Sequence, residues 1–235
     1  RGKMAASRRL CCTGPVRILD EKASQTDIAN LKSALAKTPA HDAFMNAVSP
    51  GTVAHFQINR HYKTMSEYFE AVAVAMRPEY EAIVGAGLVL QVDDAVLANM
   101  YDELVQHSPA RYREWAELRV AALNHALRDI PEDRVRYHVC FGSWHVPHVA
   151  DAPLEAVVDL VLQVKAGAYL IEAANVRHEH EWKVWEEVKL PQDKVLIPGV
   201  LDSTTNFIEH PELIAERITR FAKAVGRENV IALGN

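Results

Sequence analysis

The chain has 235 residues, of which 49% are hydrophobic and 24% charged, and this composition is typical of a globular protein with a substantial core. Its net charge of -5 provides no basic surface for phosphate groups, which argues against a nucleic-acid partner. No run approaches the ~18 apolar residues of a membrane span, and the chain start lacks a signal-peptide core. Three cysteines make a poor disulfide framework. We therefore expect a cytoplasmic protein without a membrane partner.

The first half of the chain predicts two strands, three helical regions and one long connection. Short apolar runs predict the strands, and apolar residues at helical spacing predict the helices. We expect a long connection between them because that segment has no clear period and contains two prolines. The strands are predicted at 10–12 and 88–92, the helices at 27–37, 66–85 and 94–130 with a break at Ser108-Pro109, and the connection at 38–63.

The second half alternates short strands with longer helices. We predict strands at 135–140, 169–172, 194–201 and 229–233, with helices at 153–165, within 178–188 and at 211–225. Alternation of this kind indicates βαβ units and a parallel sheet. We therefore predict an α/β protein with a TIM-type (β/α)8 barrel, as a single domain over 1–235. About six of the eight units are expected, with the first strands and the end of the barrel missing.

Three side chains near predicted strand ends have the chemistry of zinc ligands. His138 and Cys140 lie two residues apart and therefore share one face of a strand. Glu172 ends a neighbouring strand, and functional residues of β/α barrels lie at the carboxyl ends of strands. A nitrogen, a sulfur and an oxygen ligand together predict a zinc site. The alternative is a hydrogen-bonded histidine, a packed thiol and a solvated acid.

Four segments resemble, in the same order, the cobalamin-independent methionine synthase superfamily, and most closely its short single-barrel members. The resemblance implies a β/α barrel that holds zinc through a histidine, a cysteine, a glutamate and a second cysteine. His138, Cys140 and Glu172 match the first three, and the second cysteine is expected beyond Asn235. The segments are 88–94 (LVLQVDD), 138–140 (HVC), 172–182 (EAANVRHEHEW) and 199–202 (GVLD) followed by 209–212 (EHPE).

The resemblance also implies a methyl transfer to a thiol of the homocysteine type, from a methylated folate. Asp93 matches the family aspartate that holds the amino group of homocysteine, whereas we expect Asp94 to cap the next helix. Asp202 is expected to bind substrate. Two residues later Thr204 replaces a histidine that is placed for proton transfer, and a threonine cannot act as that acid. His178 is the candidate for the missing proton donor.

Two other functions remain open from the residues. Epoxyalkane–coenzyme M transferases resemble the same His-x-Cys barrel, and ring opening needs an acid such as His145 or His178. A barrel that binds metal or ligand without catalysis is the third alternative. Trp144, just after the metal strand, either lines the substrate pocket or packs over the barrel. The expected partners are a small-molecule thiol and an alkyl donor, and the composition is compatible with a homo-oligomer.

Overall fold

The structure, a computed structural model of the chain, describes residues 10–142 and 148–234. Eight strands occur in this part of the chain: β1 (Leu10–Cys12), β2 (Phe44–Val48), β3 (Gln57–Asn59), β4 (Val89–Asp94), β5 (Val135–Val139), β6 (Ala168–Glu172), β7 (Val195–Leu201) and β8 (Leu233–Gly234). The α-helices are α1 (Lys22–Lys37), α2 (Pro50–His55), α3 (Met65–Gly85), α4 (Tyr101–Val105), α5 (Pro109–Ala126), α6 (Leu154–Val161), α7 (Val184–Glu187) and α8 (Pro211–Val225). Short 3-10 helices cover Glu132–Arg134, Glu179–Lys183 and Arg227–Asn229.

Six strands form a parallel sheet in the order β2-β4-β5-β6-β7-β8, and β1 pairs with β3 in a separate two-stranded parallel sheet. The large sheet is curled into a half-barrel. Its helix-facing side is buried: on β5, Val135, Tyr137 and Val139 belong to the same core as residues of α3, α5 and α6. Alternate residues such as Leu170 on β6 form a small apolar group on the inner face. These features confirm the predicted α/β class and the barrel type of architecture.

The segment 38–63 was predicted wrongly as a connection, because it contains β2, α2 and β3. β2 forms one edge of the large sheet and has exposed residues on its inner face. Its sequence therefore lacks the clear alternation of apolar and polar residues that predicts a strand. β1 belongs to the small sheet, so its carboxyl end does not lie on the edge of the large sheet where the other strands end.

Several other predicted elements are confirmed, but the strand predicted at 229–233 is wrong in its bounds, since a 3-10 helix covers Arg227–Asn229 and β8 covers only Leu233–Gly234. A helical region interrupted before Pro109 appears as α4 and α5, and α8 spans the predicted residues 211–225. α3 continues through Pro78 without interruption and begins after Thr64, whose hydroxyl accepts a hydrogen bond from the Glu67 backbone N–H. No helix in the two described parts of the chain combines the length and apolar character needed to cross a bilayer.

Candidate metal centre

The sheet register brings the chemistry-bearing residues together. Asp93 on β4 is the register partner of His138 on β5, and His138 pairs in turn with Leu170 on β6. Register partners in a parallel sheet point to the same face, and so do residues two apart on one strand. Asp93, His138, Cys140 and Glu172 therefore all belong to the inner face at the carboxyl edge of the sheet.

Three of these residues converge. Potential ligand atoms of Asp93, His138 and Cys140 all lie within 4.8 Å of one another, and His138 Nε2 is 3.9 Å from Asp93 Oδ1. Glu172, predicted as the third ligand, is not one of the three converging residues, although its charge acts on His138 and Cys140. It is buried, and its Oε1 accepts hydrogen bonds from the backbone N–H groups of Ala174 (2.6 Å) and Asn175 (2.9 Å). Asp93, predicted to bind substrate, thus comes closer to His138 and Cys140 than the pattern alone indicated.

Burial sets the protonation states in this group. It lowers the pKa of His138, despite the opposing charges of Asp93 and Glu172, so the imidazole is kept neutral. Burial also raises the pKa of the Cys140 thiol, although a hydrogen bond from the Gly142 N–H to Sγ (3.3 Å) opposes this. Asp93 has a raised pKa from burial, which the His138 charge opposes. A divalent cation would reverse the preference for uncharged forms, since it favours deprotonated ligands.

Oδ1 of Asp93 is buried and lacks a well-formed hydrogen bond to any described residue, whereas His138 has a hydrogen-bonding contact with the backbone of Leu170. A buried polar atom without a partner costs about 1–3 kcal/mol. A bound cation or a polar substrate group would remove that cost. The donor set, with a neutral imidazole, a thiol and carboxylates, is the set that zinc accepts, so the residues fit this metal.

Asp94, next to Asp93 but on the opposite face, is a structural acid. Its Oδ1 accepts hydrogen bonds from the backbone N–H groups of Val96 (3.1 Å) and Leu97 (3.0 Å), and its Oδ2 accepts one from the Tyr137 hydroxyl (3.1 Å). This is the capping role that we expected, although it serves the turn before α4 instead of a helix start.

A chain of hydrogen bonds joins Glu172 to Asp202. Asn175 donates its backbone N–H to Glu172 and its side-chain amide to Thr204 Oγ1 (3.1 Å). The Thr204 hydroxyl donates to Asp202 Oδ1 (2.6 Å), which also accepts the Thr204 backbone N–H (2.8 Å). The hydroxyl proton of Thr204 is therefore committed to Asp202. Sequence reasoning missed Asn175, although its position three residues after Glu172 in a strand-ending loop is a signal.

His178 is almost fully buried, with 2% of its surface exposed. Its Nδ1 lies 2.8 Å from Glu181 Oε2, and its Nε2 lies 2.9 Å from Asp151 Oδ2. Both ring nitrogens are thus hydrogen-bonded to carboxylates, which places His178 among supporting groups. Its role as proton donor stays a prediction. Trp144 and His145 lie outside the described residues.

The curled parallel sheet puts the protein in the class of β/α-barrel folds, in which functional residues commonly lie at the carboxyl edge of the sheet. Residues 2–232 match the family described as "Cobalamin-independent synthase, Catalytic domain", and the chain belongs to this family. A comparison with curated proteins found no match.

Two solved structures have the same fold. A B12-independent methionine synthase from Shewanella sp. W3-18-1, in complex with selenomethionine, has 17% sequence identity and a TM-score of 0.66, with 88% of this chain and 58% of that chain covered. A protein from Listeria monocytogenes, assigned as a vitamin-B12 independent methionine synthase, has 18% identity and a TM-score of 0.67, with 94% and 64% covered. The chain thus spans less than two thirds of the length of each of these two proteins.

Proposed function

We propose that this protein is a zinc-dependent methyltransferase that moves a methyl group from a methylated folate to the thiol of homocysteine. The convergence of Asp93, His138 and Cys140 at the carboxyl edge of the half-barrel carries the proposal. Family membership supports the reaction class. When bound, zinc would bind the substrate sulfur and stabilise its thiolate, which is the nucleophilic form.

His138, Cys140 and Glu172 would hold the metal. The neutral imidazole of His138 can bind a cation without first losing a proton. Backbone N–H groups of Ala174 and Asn175 fix the orientation of Glu172 through Oε1, as supporting hydrogen bonds commonly do for ligating carboxylates.

Asp93 would bind the amino group of homocysteine. The Asp93 side chain is 38% exposed although its Oδ1 is buried, so a ligand can reach the other part of the carboxylate from the inner face. An ammonium group next to Asp93 would lower its raised pKa and keep the carboxylate ionised. The substrate amino group would then be held within a few ångströms of the thiol-binding position, which favours a fixed orientation for methyl transfer.

Metal analysis tests the site. We expect about one zinc per chain in the wild-type protein, since one set of ligands binds one ion. The same is expected of Cys11→Ala, whose exposed thiol lies on β1 of the small sheet. Cys140→Ala should lose most of the metal. Equal zinc retention by Cys140→Ala and Cys11→Ala would contradict the ligand assignment.

An assay of methionine formation from homocysteine and methylated folate tests the reaction. The zinc-loaded protein should form methionine, and Asp93→Asn should raise the KM for homocysteine about 10-fold or more, because a charged hydrogen bond is lost. Absence of product at full zinc occupancy would contradict the proposal. Turnover of a short epoxide with a thiol under those conditions would instead favour epoxide opening.

A further inference from the structure

Asn175 is a junction of hydrogen bonds in the loop that follows β6. Its backbone N–H donates to Glu172 Oε1 (2.9 Å), and its backbone carbonyl accepts two further N–H groups of the loop (both 2.8 Å). In the side chain, Oδ1 accepts the Arg177 N–H (2.9 Å) and Nδ2 donates to Thr204 Oγ1 (3.1 Å). The residue is buried, with 7% of its surface exposed. Asn175 therefore organises the loop that begins at a proposed metal ligand.

The two ends of the Asn175 amide cannot be exchanged. Oδ1 faces a backbone N–H, which only donates, so the amide oxygen has to lie there. Nδ2 faces the Thr204 hydroxyl, whose single proton is donated to Asp202 Oδ1 at 2.6 Å, so the hydroxyl oxygen can only accept from Asn175. An amide turned by half a rotation would place donor against donor and acceptor against acceptor. The contact between Asn175 and Thr204 is therefore directional.

Thr204 is anchored in turn to β7 and α8. Asp202 directly follows β7, and its Oδ1 accepts the backbone N–H of Thr204 (2.8 Å) as well as the hydroxyl. The Asp202 N–H donates to Glu209 Oε2 (2.8 Å), and Glu209 pairs with the buried Arg217 of α8. We call Asn175, Thr204 and Asp202 the bridge. The bridge ties the loop after β6 to a part of the fold that α8 holds in place.

Glu172 is the point at which the bridge meets the candidate metal centre. It lies two residues beyond Leu170, the register partner of His138, and so on the same face of the sheet. Its charge acts on both His138 and Cys140. The Asn175 N–H is one of the two backbone N–H groups that hold Glu172 Oε1. A shift of Asn175 would therefore turn this carboxylate relative to the centre.

The contact with Thr204 is what fixes Asn175 relative to the rest of the fold. Among the described residues, it is the one hydrogen bond of Asn175 that reaches beyond 172–179, and the others would move with the loop. We propose that Asn175 and Thr204 are positioning residues for the metal ligand Glu172. The threonine that replaces the expected proton-transfer histidine thus has a role of its own, because it supports the metal site. This inference rests on the proposed function, since it takes Glu172 as a zinc ligand.

The zinc dissociation constant, measured by competition with a chelator, tests the bridge. Thr204→Val keeps the shape of the side chain but lacks the hydroxyl, so Asn175 loses its acceptor and Asp202 loses a donor. We expect zinc binding to weaken about 10-fold, as for other groups that orient a metal ligand. Thr204→Ser keeps the hydroxyl and should retain the wild-type affinity.

Thr219→Val is the matched control, because it removes an exposed hydroxyl that donates to the Ala215 carbonyl within α8. It should bind zinc as the wild-type protein does. The visible absorption of the Co²⁺-loaded protein reports how the ligands are arranged around the ion. Thr204→Val should change these bands, whereas Thr204→Ser and Thr219→Val should not. A purely structural role of Thr204 would lower the free energy of unfolding and leave both the zinc affinity and the bands unchanged.

A double-mutant cycle tests whether the two residues act through one contact. Asn175→Ala should weaken zinc binding about 10-fold or more, because it also loses the turn to Arg177. Thr204→Val added to Asn175→Ala should weaken it no further. If the double variant shows the product of the two single effects, the residues act independently and the bridge is contradicted. Each single variant also tests the inference by itself.

Cys140→Ala in the same assay separates this inference from the proposed function. If Cys140→Ala loses zinc while Thr204→Val and Asn175→Ala both keep the wild-type affinity, the inference is overturned and the proposed metal site stands. If Thr204→Val weakens zinc binding in a protein that forms no methionine, the inference is supported and only the assigned reaction is contradicted. If Cys140→Ala keeps the wild-type affinity, the ligand assignment and this inference are both overturned.

Discussion

The reactivity of Cys140 depends on burial and on the acids that surround it. Burial raises the pKa of this thiol, and the charges of Asp93, Asp94 and Glu172 raise it further. The free thiol is therefore a poor nucleophile in the metal-free protein, because the thiolate is the reactive form. A cation is needed to make the sulfur a ligand at neutral pH.

Iodoacetamide labelling of zinc-free protein with Cys11 and Cys12 replaced by serine should report Cys140 alone. We expect the labelling rate of Cys140 to reach half of its maximum at a pH above about 8.5, which is the midpoint for a free cysteine. Asp93→Asn should move the midpoint down, because Asp93 contributes to the raised pKa. Asp129→Asn, which changes an exposed acid on a distant turn, is the control. A midpoint at or below that of free cysteine would contradict this account.

His178 should make stability depend on pH. A group whose pKa is raised on folding stabilises the native state fully below its unfolded pKa, and this contribution is lost as the pH rises through the folded pKa. His178→Gln should therefore cost about 3 kcal/mol near pH 6, as for breaking a buried ion pair, and less near pH 9. Urea unfolding of both proteins measures this difference. A cost that is equal at both pH values, or a similar pH dependence in His180→Gln, would contradict the assignment.

At the scale of elements, the sequence predicts a strand best when one face packs against helices. β5 to α8 followed the expected alternation because buried strands and amphipathic helices have distinct periods. β2 was missed because it has five residues, of which three are exposed. The pair His138 and Cys140 could be predicted from spacing on one strand. The approach of Asp93 to His138 depends on the β4–β5 register. The hydrogen bonds of His178 to Asp151 and Glu181 depend on loop conformations, and neither feature is encoded in a local pattern.

Arg217 connects α8 to the carboxyl edge of the sheet. This buried guanidinium donates to the Val200 carbonyl (2.9 Å) and pairs with Glu209 and Glu179. Arg217→Met should lower the free energy of unfolding by about 3 kcal/mol, because it leaves the largely buried Glu209 without its cation, whereas the more exposed Glu179 keeps Arg220 as a partner. Arg220→Met, one turn away and partly exposed, should cost less than about 1 kcal/mol. If both variants lose the same free energy of unfolding in urea, burial of Arg217 does not determine the size of its contribution to stability.

Gly167 allows the chain to enter β6 close to the 3-10 helix Glu132–Arg134, which precedes β5. A Cβ at this position would lie 2.7 Å from the Glu132 carbonyl oxygen and 2.9 Å from the Asp133 Cα, both of them backbone atoms. Gly167→Ala should therefore destabilise the protein by about 1–3 kcal/mol, as overpacking does. Gly85→Ala, at the end of α3 with nothing within 4 Å of the added carbon, should be neutral or stabilise by about 0.5–1 kcal/mol. Chemical denaturation of both variants compares them directly.

At the scale of the molecule, the candidate site joins neighbouring strands. His138 and Cys140 belong to β5, whereas Asp93 and Glu172 belong to β4 and β6. A metal held by His138, Cys140 and Glu172 connects β5 to β6, and no such arrangement survives when the chain unfolds. Zinc binding should therefore stabilise the whole half-barrel by mass action, as for any ligand that binds only the native state.

Thermal unfolding with and without zinc measures this coupling. At a free zinc concentration of 100 times Kd the native state gains about 2.7 kcal/mol, which corresponds to roughly 5–10 °C in Tm for a chain of this size. Cys140→Ser should lose most of this increase, while Cys11→Ser and His178→Gln should keep it, because neither replaced side chain is a proposed ligand. A chelator should reverse the increase. If Cys140→Ser keeps the full zinc-dependent increase, the metal binds elsewhere, because a ligand set without its thiolate would bind zinc far more weakly.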